Sequence, residues 1–158
     1  MSGTVFEIYI GAEPCGPLRS VREITLETGR GIVGDRYYAG SGTFSERFMG
    51  THDNEVTLIE AEVIDRFNAS NGRSLGYGEC RRNIVTRDIR LNDLVDQTFR
   101  IGQVTLQGIR LCEPCQHLAE LTTPQILSDM VHRAGLRAQI ITDGRIVVED
   151  SIAVEDAE

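Results

Sequence analysis

The sequence predicts a mainly β fold of the α+β class, built as an antiparallel β-barrel with a few peripheral helices. Short segments rich in β-branched residues recur along the chain and outnumber the helical patterns. An Asp-Gly pair, Asp143-Gly144, stands between two such segments, which predicts a hairpin with a two-residue type I′ turn. Many short strands joined by Gly-containing turns are typical of a barrel.

The strand prediction depends on six segments whose alternation and length favour strands over helices. They are residues 4–10, 21–27, 55–59, 83–86, 103–109 and 138–142. Helical patterns are fewer, and they occupy residues 60–70, a short turn at 116–121, and 123–134. In the last of these, Thr123 suits the cap, Pro124 suits the first helical position, and Gly135 ends the helix.

Length and composition predict one domain spanning residues 1–158. No basic region followed by an apolar stretch begins the chain, and no apolar run is long enough for a membrane span, so we expect a cytoplasmic protein without a membrane partner. A net charge of −8 argues against general nucleic-acid binding. The four cysteines do not resemble a secreted disulfide framework, so reduced thiols are expected.

The basic residues restrict the cofactor chemistry. All 16 are arginines, and the chain contains no lysine. Covalent pyridoxal phosphate catalysis needs a lysine amine to form its Schiff base. That chemistry is excluded for this chain acting alone.

The segment CEPC, residues 112–115, admits several interpretations. A strand followed by Cys-x-Pro-Cys and a helix suits a redox pair, although a thioredoxin fold would place the motif near its start. A structural zinc site needs four ligands, whereas Cys112, Cys115 and His117 give three at best. Two small buried thiols at the end of a strand are the third interpretation.

Two other segments suit an anion. Residues 29–40, GRGIVGDRYYAG, place Asp35-Arg36 after three glycines that allow close backbone approach, although the spacing alone favours a strand-joining loop with an exposed charge. Residues 81–83, Arg-Arg-Asn, combine two guanidinium groups with an amide at the start of a strand. Solvated surface is the alternative there.

The order of these motifs carries more information than any one of them. GIVGDRYYAG is followed by VTLIEAEVI, then by RRNIVTRDIRLNDLVDQTFRIGQVTLQGIRLCEPCQHL, and then by HRAGLRAQIITDGRIVVED. This order resembles the MOSC domain, the family named after the C-terminal domain of molybdenum cofactor sulfurase, over residues 23–152. The resemblance implies a β-barrel that carries molybdenum, or a related sulfur species, on a cysteine thiolate.

The resemblance also implies roles for individual residues. Cys115 would be the metal ligand and catalytic residue, with Cys112 as its neighbour, while Asp35, Arg36, Arg81 and Asn83 would bind the cofactor. A soft thiolate suits molybdenum held by a pterin dithiolene, and the phosphate of molybdopterin suits arginines.

The implied function is binding of the molybdenum cofactor and reduction of small N-hydroxylated compounds. The chain would then depend on separate electron-transfer proteins. A non-catalytic carrier of the cofactor or of a persulfide, which would work with cofactor-biosynthesis proteins, is the alternative. A thiol–disulfide oxidoreductase using Cys112 and Cys115 is the third.

Overall fold

The computed structural model describes residues 2–45 and 49–154. The helices are α1 (Ala61–Asn71), α2 (Gln116–Leu121) and α3 (Ile126–Asp129), with a 3₁₀ helix at Leu91–Leu94. The strands are β1 (Ser2–Ile10), β2 (Arg19–Val21), β3 (Glu23–Glu27), β4 (Gly31–Ile32), β5 (Val56–Glu60), β6 (Ile84–Arg87), β7 (Thr98–Ile101), β8 (Val104–Leu111), β9 (Leu136–Ile140), β10 (Gly144–Val147) and β11 (Ser151–Val154).

Seven of the described strands close into a barrel, which confirms the mainly β fold. Their order is β1, β11, β7, β8, β9, β5 and β6, after which β6 pairs with β1 again. The seam between β1 and β11 sets Gly3 opposite Ile152. Neighbouring barrel strands are antiparallel except β5 and β6, which are parallel because α1 carries the chain back between them.

The apolar residues form two layers. Alternate residues of the barrel strands, such as Leu58, Phe99 and Leu106, fill the interior. Ile59 and Val85 point outwards and pack against the helices, where they meet Ile64 of α1. Strand β5 therefore has apolar residues on both faces, which explains why its sequence reads as a nearly continuous apolar run.

The helices at 60–70 and 116–121 are confirmed as α1 and α2. Helix α1 ends at Gly72, whose φ of 59° lies in the left-handed region that favours glycine. Within the described part of the chain, none of the helices has the length and apolar character that crossing a bilayer requires.

The predicted helix at 123–134 is wrong for most of its length. Only Ile126–Asp129 is α-helical, and Thr123 bonds to the side chain of Gln125 instead of capping a helix. The chain then leaves the helical conformation at His132, whose φ is 61°. Glu113 stabilises this turn, because its carboxylate accepts the His132 backbone N–H and contacts the His132 ring, each at 2.6 Å.

The predicted hairpin at Asp143-Gly144 is also wrong. Strand β9 pairs with β5 and β8, whereas β10 pairs with β3 in a separate three-stranded sheet completed by β4. A type I′ turn needs positive φ at both central residues, and neither residue is among the described residues with positive φ. Instead, Asp143 Oδ1 accepts hydrogen bonds from the backbone N–H and the hydroxyl of Thr28, at 2.7 and 2.8 Å.

Candidate functional site

The two cysteines of CEPC lie in different environments. Cys112 directly follows β8, is only 1% exposed, and donates its backbone N–H to the Gly135 carbonyl at 2.8 Å. Cys115 is partly exposed, and its sulfur accepts the N–H of Leu118 at 3.5 Å where α2 begins. No cluster of three or more His, Cys, Asp or Glu residues suited to a metal occurs among residues 2–45 and 49–154, so the zinc interpretation has no support there.

Cys115 faces a pocket at one end of the barrel. The strand register brings Arg137 of β9 opposite Thr57 of β5 and places Asn83, just before β6, beside the same residue. The pocket is lined by Arg36, Tyr37, Thr43, Phe44, Thr57, Arg81, Arg82, Asn83, Cys115, His117, Leu118 and Arg137. The structure thus brings Cys115 together with Arg36, Arg81 and Asn83, which are distant in the sequence.

Asp35 is absent from the described pocket lining and instead positions Arg36. The Asp35 side chain is 3% exposed, and its Oδ1 accepts hydrogen bonds from the Gly11 N–H and from Nη1 of Arg36, both at 3.1 Å. The Arg36 guanidinium also stacks on the Tyr37 ring at 4.7 Å. The carboxylate therefore fixes the guanidinium at the pocket wall without lining the pocket itself.

Arg81 contributes a buried donor to the site. Its Nη1 donates to the Gly16 carbonyl at 2.6 Å, whereas Nη2 is buried and has no hydrogen-bond partner in the described structure. Burial, and secondarily the positive charge of Arg36, lower the pKa of Arg81. The backbone φ of 64° is a conformation that a non-glycine residue adopts at a cost of about 1–3 kcal/mol. These features favour an anion beside Arg81.

Asn83 is mainly a link between strands. Its Oδ1 accepts hydrogen bonds from the backbone N–H and the hydroxyl of Thr57, at 3.2 and 3.1 Å. Its Nδ2 donates to the Tyr9 carbonyl at 3.1 Å. An amide nitrogen carries two hydrogens, so one donor is left for a ligand.

Arg82 was predicted only as part of the anion-suited segment 81–83, and Arg137 was not predicted as a site residue. Arg82 accompanies Arg81 in the motif and donates through Nε to the Ala134 carbonyl at 2.9 Å. Arg137 donates to the Asp53 carbonyl at 2.9 Å, and burial lowers its pKa. The available signal for Arg137 was a charged residue inside the short strand LRAQI.

A second cavity lies on the other side of Cys115. It shares Phe44, Arg82, Cys115 and Arg137 with the first pocket and adds Arg110, Glu113 and Pro114. The first cavity has a volume of about 40 Å³ and the second about 160 Å³. Small-molecule sites typically measure about 300–1,000 Å³, so a ligand the size of a pterin requires side chains at the mouth to move.

The donor set fits a molybdenum cofactor in its chemistry. A partly exposed thiol offers a soft ligand, and the nearby guanidinium groups suit a phosphate. The buried, unpartnered Nη2 of Arg81 is the observation that favours an anionic ligand most directly. In a protein with a net charge of −8, this local concentration of arginines is a distinct electrostatic feature.

Solved structures share this fold at low sequence identity. The YuaD protein from Bacillus subtilis has a TM-score of 0.83 at 14% identity, over 100% of this chain and 98% of that one. YiiM from Geobacillus stearothermophilus has a TM-score of 0.73 at 13% identity, over 98% and 75%. YiiM from Escherichia coli has a TM-score of 0.72 at 17% identity, over 100% and 71%.

The comparison with protein families assigns the chain more specifically than the shared fold does. A search of curated proteins finds no match. The family model described as the MOSC domain matches residues 45–153, which include Arg81, Asn83 and the CEPC segment. The chain therefore belongs to the MOSC domain family, which is associated with binding of the molybdenum cofactor.

Proposed function

We propose that this protein binds the molybdenum cofactor, molybdopterin, through Cys115 and reduces small N-hydroxylated compounds with electrons from separate proteins. The observation that carries the proposal is the thiol of Cys115 on the same pocket as Arg36 and Arg81. Membership of the MOSC family supports the cofactor, while the substrate class follows from the resemblance to the reductases of that family.

The chain's own residues would hold and orient the cofactor. Cys115 would supply the thiolate ligand, and Arg81 would place Nη2 against the phosphate with Arg36 held alongside by Asp35. The bound cofactor would supply the two-electron chemistry, in which an N-hydroxyl compound, two electrons and two protons give the amine and water. Tyr37 and Phe44 would shield the site from water.

The position of Cys115 favours an enzyme over a carrier. A carrier must present its sulfur to a partner protein, whereas Cys115 lies between two cavities and is partly covered. The second cavity offers a route for a substrate that does not cross the cofactor pocket. A thiol–disulfide oxidoreductase would need both thiols to react, and the burial of Cys112 disfavours that function.

The first prediction separates the roles of the two cysteines. Cys115→Ser should lose nearly all bound molybdenum, because it removes the thiolate ligand, while Cys112→Ser should keep most of it. The measurement is molybdenum per protein after expression in a host that makes the cofactor, with circular dichroism to verify folding. Equal retention in the two variants, or no molybdenum in the wild type, contradicts the proposed ligand.

A second assay distinguishes a reductase from a non-catalytic carrier of the cofactor. The molybdenum-loaded wild type receives a chemically reduced viologen as electron donor and benzamidoxime or a hydroxylaminopurine as substrate. Formation of the amidine or aminopurine that is lost in Cys115→Ser supports a reductase. Stable molybdenum binding without any turnover of either substrate supports the carrier.

A further inference from the structure

A second group of arginines lies outside the pocket that faces Cys115. Arg66 of α1, Arg90 before the 3₁₀ helix, and Arg133 before β9 line a cavity of about 250 Å³ together with Glu60 and Asn92. These residues come from separate segments of the chain, and the fold brings them together beside α1. The cavity is concave and lined mainly by polar groups.

The positive charges here are poorly compensated. Within the described structure, the side chains of Arg66 and Arg133 have neither a hydrogen-bond partner nor an ion-pair partner. The closest carboxylate oxygen to Arg90 is that of Asp93, at 3.9 Å, and the Arg90 side chain is 77% exposed. Three guanidinium groups therefore line one cavity, and within the described structure Arg66 and Arg133 form no ion pair.

The neighbouring carboxylates have other partners besides the cluster. Glu60 lines the cavity, and one of its oxygens accepts the Leu91 N–H at 3.2 Å; burial raises the pKa of Glu60, while the charges of Arg133 and Arg90 lower it. Asp129 lines an adjoining cavity of about 360 Å³ that also contacts Arg66 and Arg133. One Asp129 oxygen is already bonded to Asn71, at 2.8 Å.

We propose that this cavity binds a small anion that carries one or more phosphate groups. Planar guanidinium groups pair with phosphate oxygens through two parallel hydrogen bonds, and three of them can surround a multiply charged anion. The concave shape favours a small anion over the flat acidic face of a protein. This site is separate from the cofactor pocket, since the two share no lining residue.

The test is a titration of the full chain with pyrophosphate. Binding is measured by calorimetry and by the NMR chemical shifts of the backbone amides. Saturable binding that weakens with salt is expected, with shifts around residues 60–66 and 90–92. The double variant Arg66→Gln/Arg133→Gln should bind at least about tenfold more weakly. The matched control is Arg30→Gln/Arg145→Gln, which removes two exposed arginines elsewhere and should leave the affinity unchanged.

Pyrophosphate can also enter the pocket beside Cys115, so the titration is repeated with Arg81→Gln, in which the shifts around residues 60–66 should persist. Thermal melting of each variant verifies folding. The proposal is overturned if the wild type shows no saturable binding, if both double variants lose affinity equally, or if the shifts vanish with Arg81→Gln. Binding of polyglutamate without binding of pyrophosphate also overturns it, in favour of an acidic protein partner.

Discussion

At the scale of single residues, side chains that look equivalent in the sequence differ in their exposure to solvent. Cys112 and Cys115 belong to one motif, yet the first is buried and the second faces two cavities. The resemblance to the MOSC domain predicted four residues of this pocket, namely Cys115, Arg36, Arg81 and Asn83. It did not predict Arg137, because the position of that residue in the pocket depends on how β9 pairs with β5.

The four thiols should react with iodoacetamide in an order set by their exposure. Cys15 is exposed and should react first, and the partly exposed Cys115 should follow. Cys80 and Cys112 are each 1% exposed and should be protected until the protein unfolds. Burial also raises the pKa of Cys80 to about 11, so only a small fraction of this thiol is ionised at neutral pH. Mass spectrometry of peptides after timed alkylation measures the order, and Cys80 reacting as fast as Cys15 would contradict it.

At the scale of elements, the sequence was informative where local pattern decides the structure. All six predicted strand segments correspond to strands, because alternation reflects the two faces of each strand. The strands β4, β7 and β11 lie outside the six predicted segments. The hairpin and the long helix were wrong because distant side chains, Thr28 with Asp143 and Glu113 with His132, redirect the backbone.

The contact between Asp143 and Thr28 predicts a pH-dependent loss of stability. The backbone N–H of Thr28, and then its hydroxyl, lower the pKa of Asp143. A lowered pKa means that the contact stabilises the fold above the unfolded pKa of about 3.9 and is lost as the pH falls through the folded value. Asp143→Ala should therefore lower the melting temperature more at pH 7 than below about pH 4.

Calorimetric melts of the wild type and Asp143→Ala between pH 3 and pH 7 measure this difference. Thr28→Val is the matched control, because it should cost stability in the wild type but not in Asp143→Ala. A difference between wild type and Asp143→Ala that stays constant down to pH 3 would show that the charge of Asp143 contributes nothing.

At the scale of the whole molecule, the seam between β1 and β11 decides whether the barrel is closed. Gly3 lies in this seam, and a Cβ atom there would stand 2.6 Å from the Arg87 carbonyl oxygen and 2.7 Å from Ile89 Cβ. Both distances are too short, so the backbone of β1 would have to move away from residues 87–89, which lie at and after the end of β6. Sequence alone gave no sign of this requirement, because the close approach arises from strands that are far apart in the chain.

Gly3→Ala should therefore lower the free energy of unfolding by about 1–3 kcal/mol, as overpacking does in well-packed interiors. Urea denaturation measures the change. Gly76→Ala is the matched control, because its Cβ would lie 3.4 Å from a flexible Glu79 carboxylate. A Gly3→Ala protein as stable as the wild type would mean that the packing of β1 against residues 87–89 tolerates the extra atom.

The same seam has a consequence for how the chain is synthesised. The first described strand completes its pairing only with the last, since Ser2 lies opposite Ala153. At about 5–20 residues per second, a ribosome needs roughly ten to thirty seconds to produce the intervening chain. Until β11 is made, the start of β1 and, once it has been synthesised, one edge of β7 lack this partner, and unpaired edges attract strands from other chains. The nascent protein is thus most prone to aggregate just before its final strand emerges.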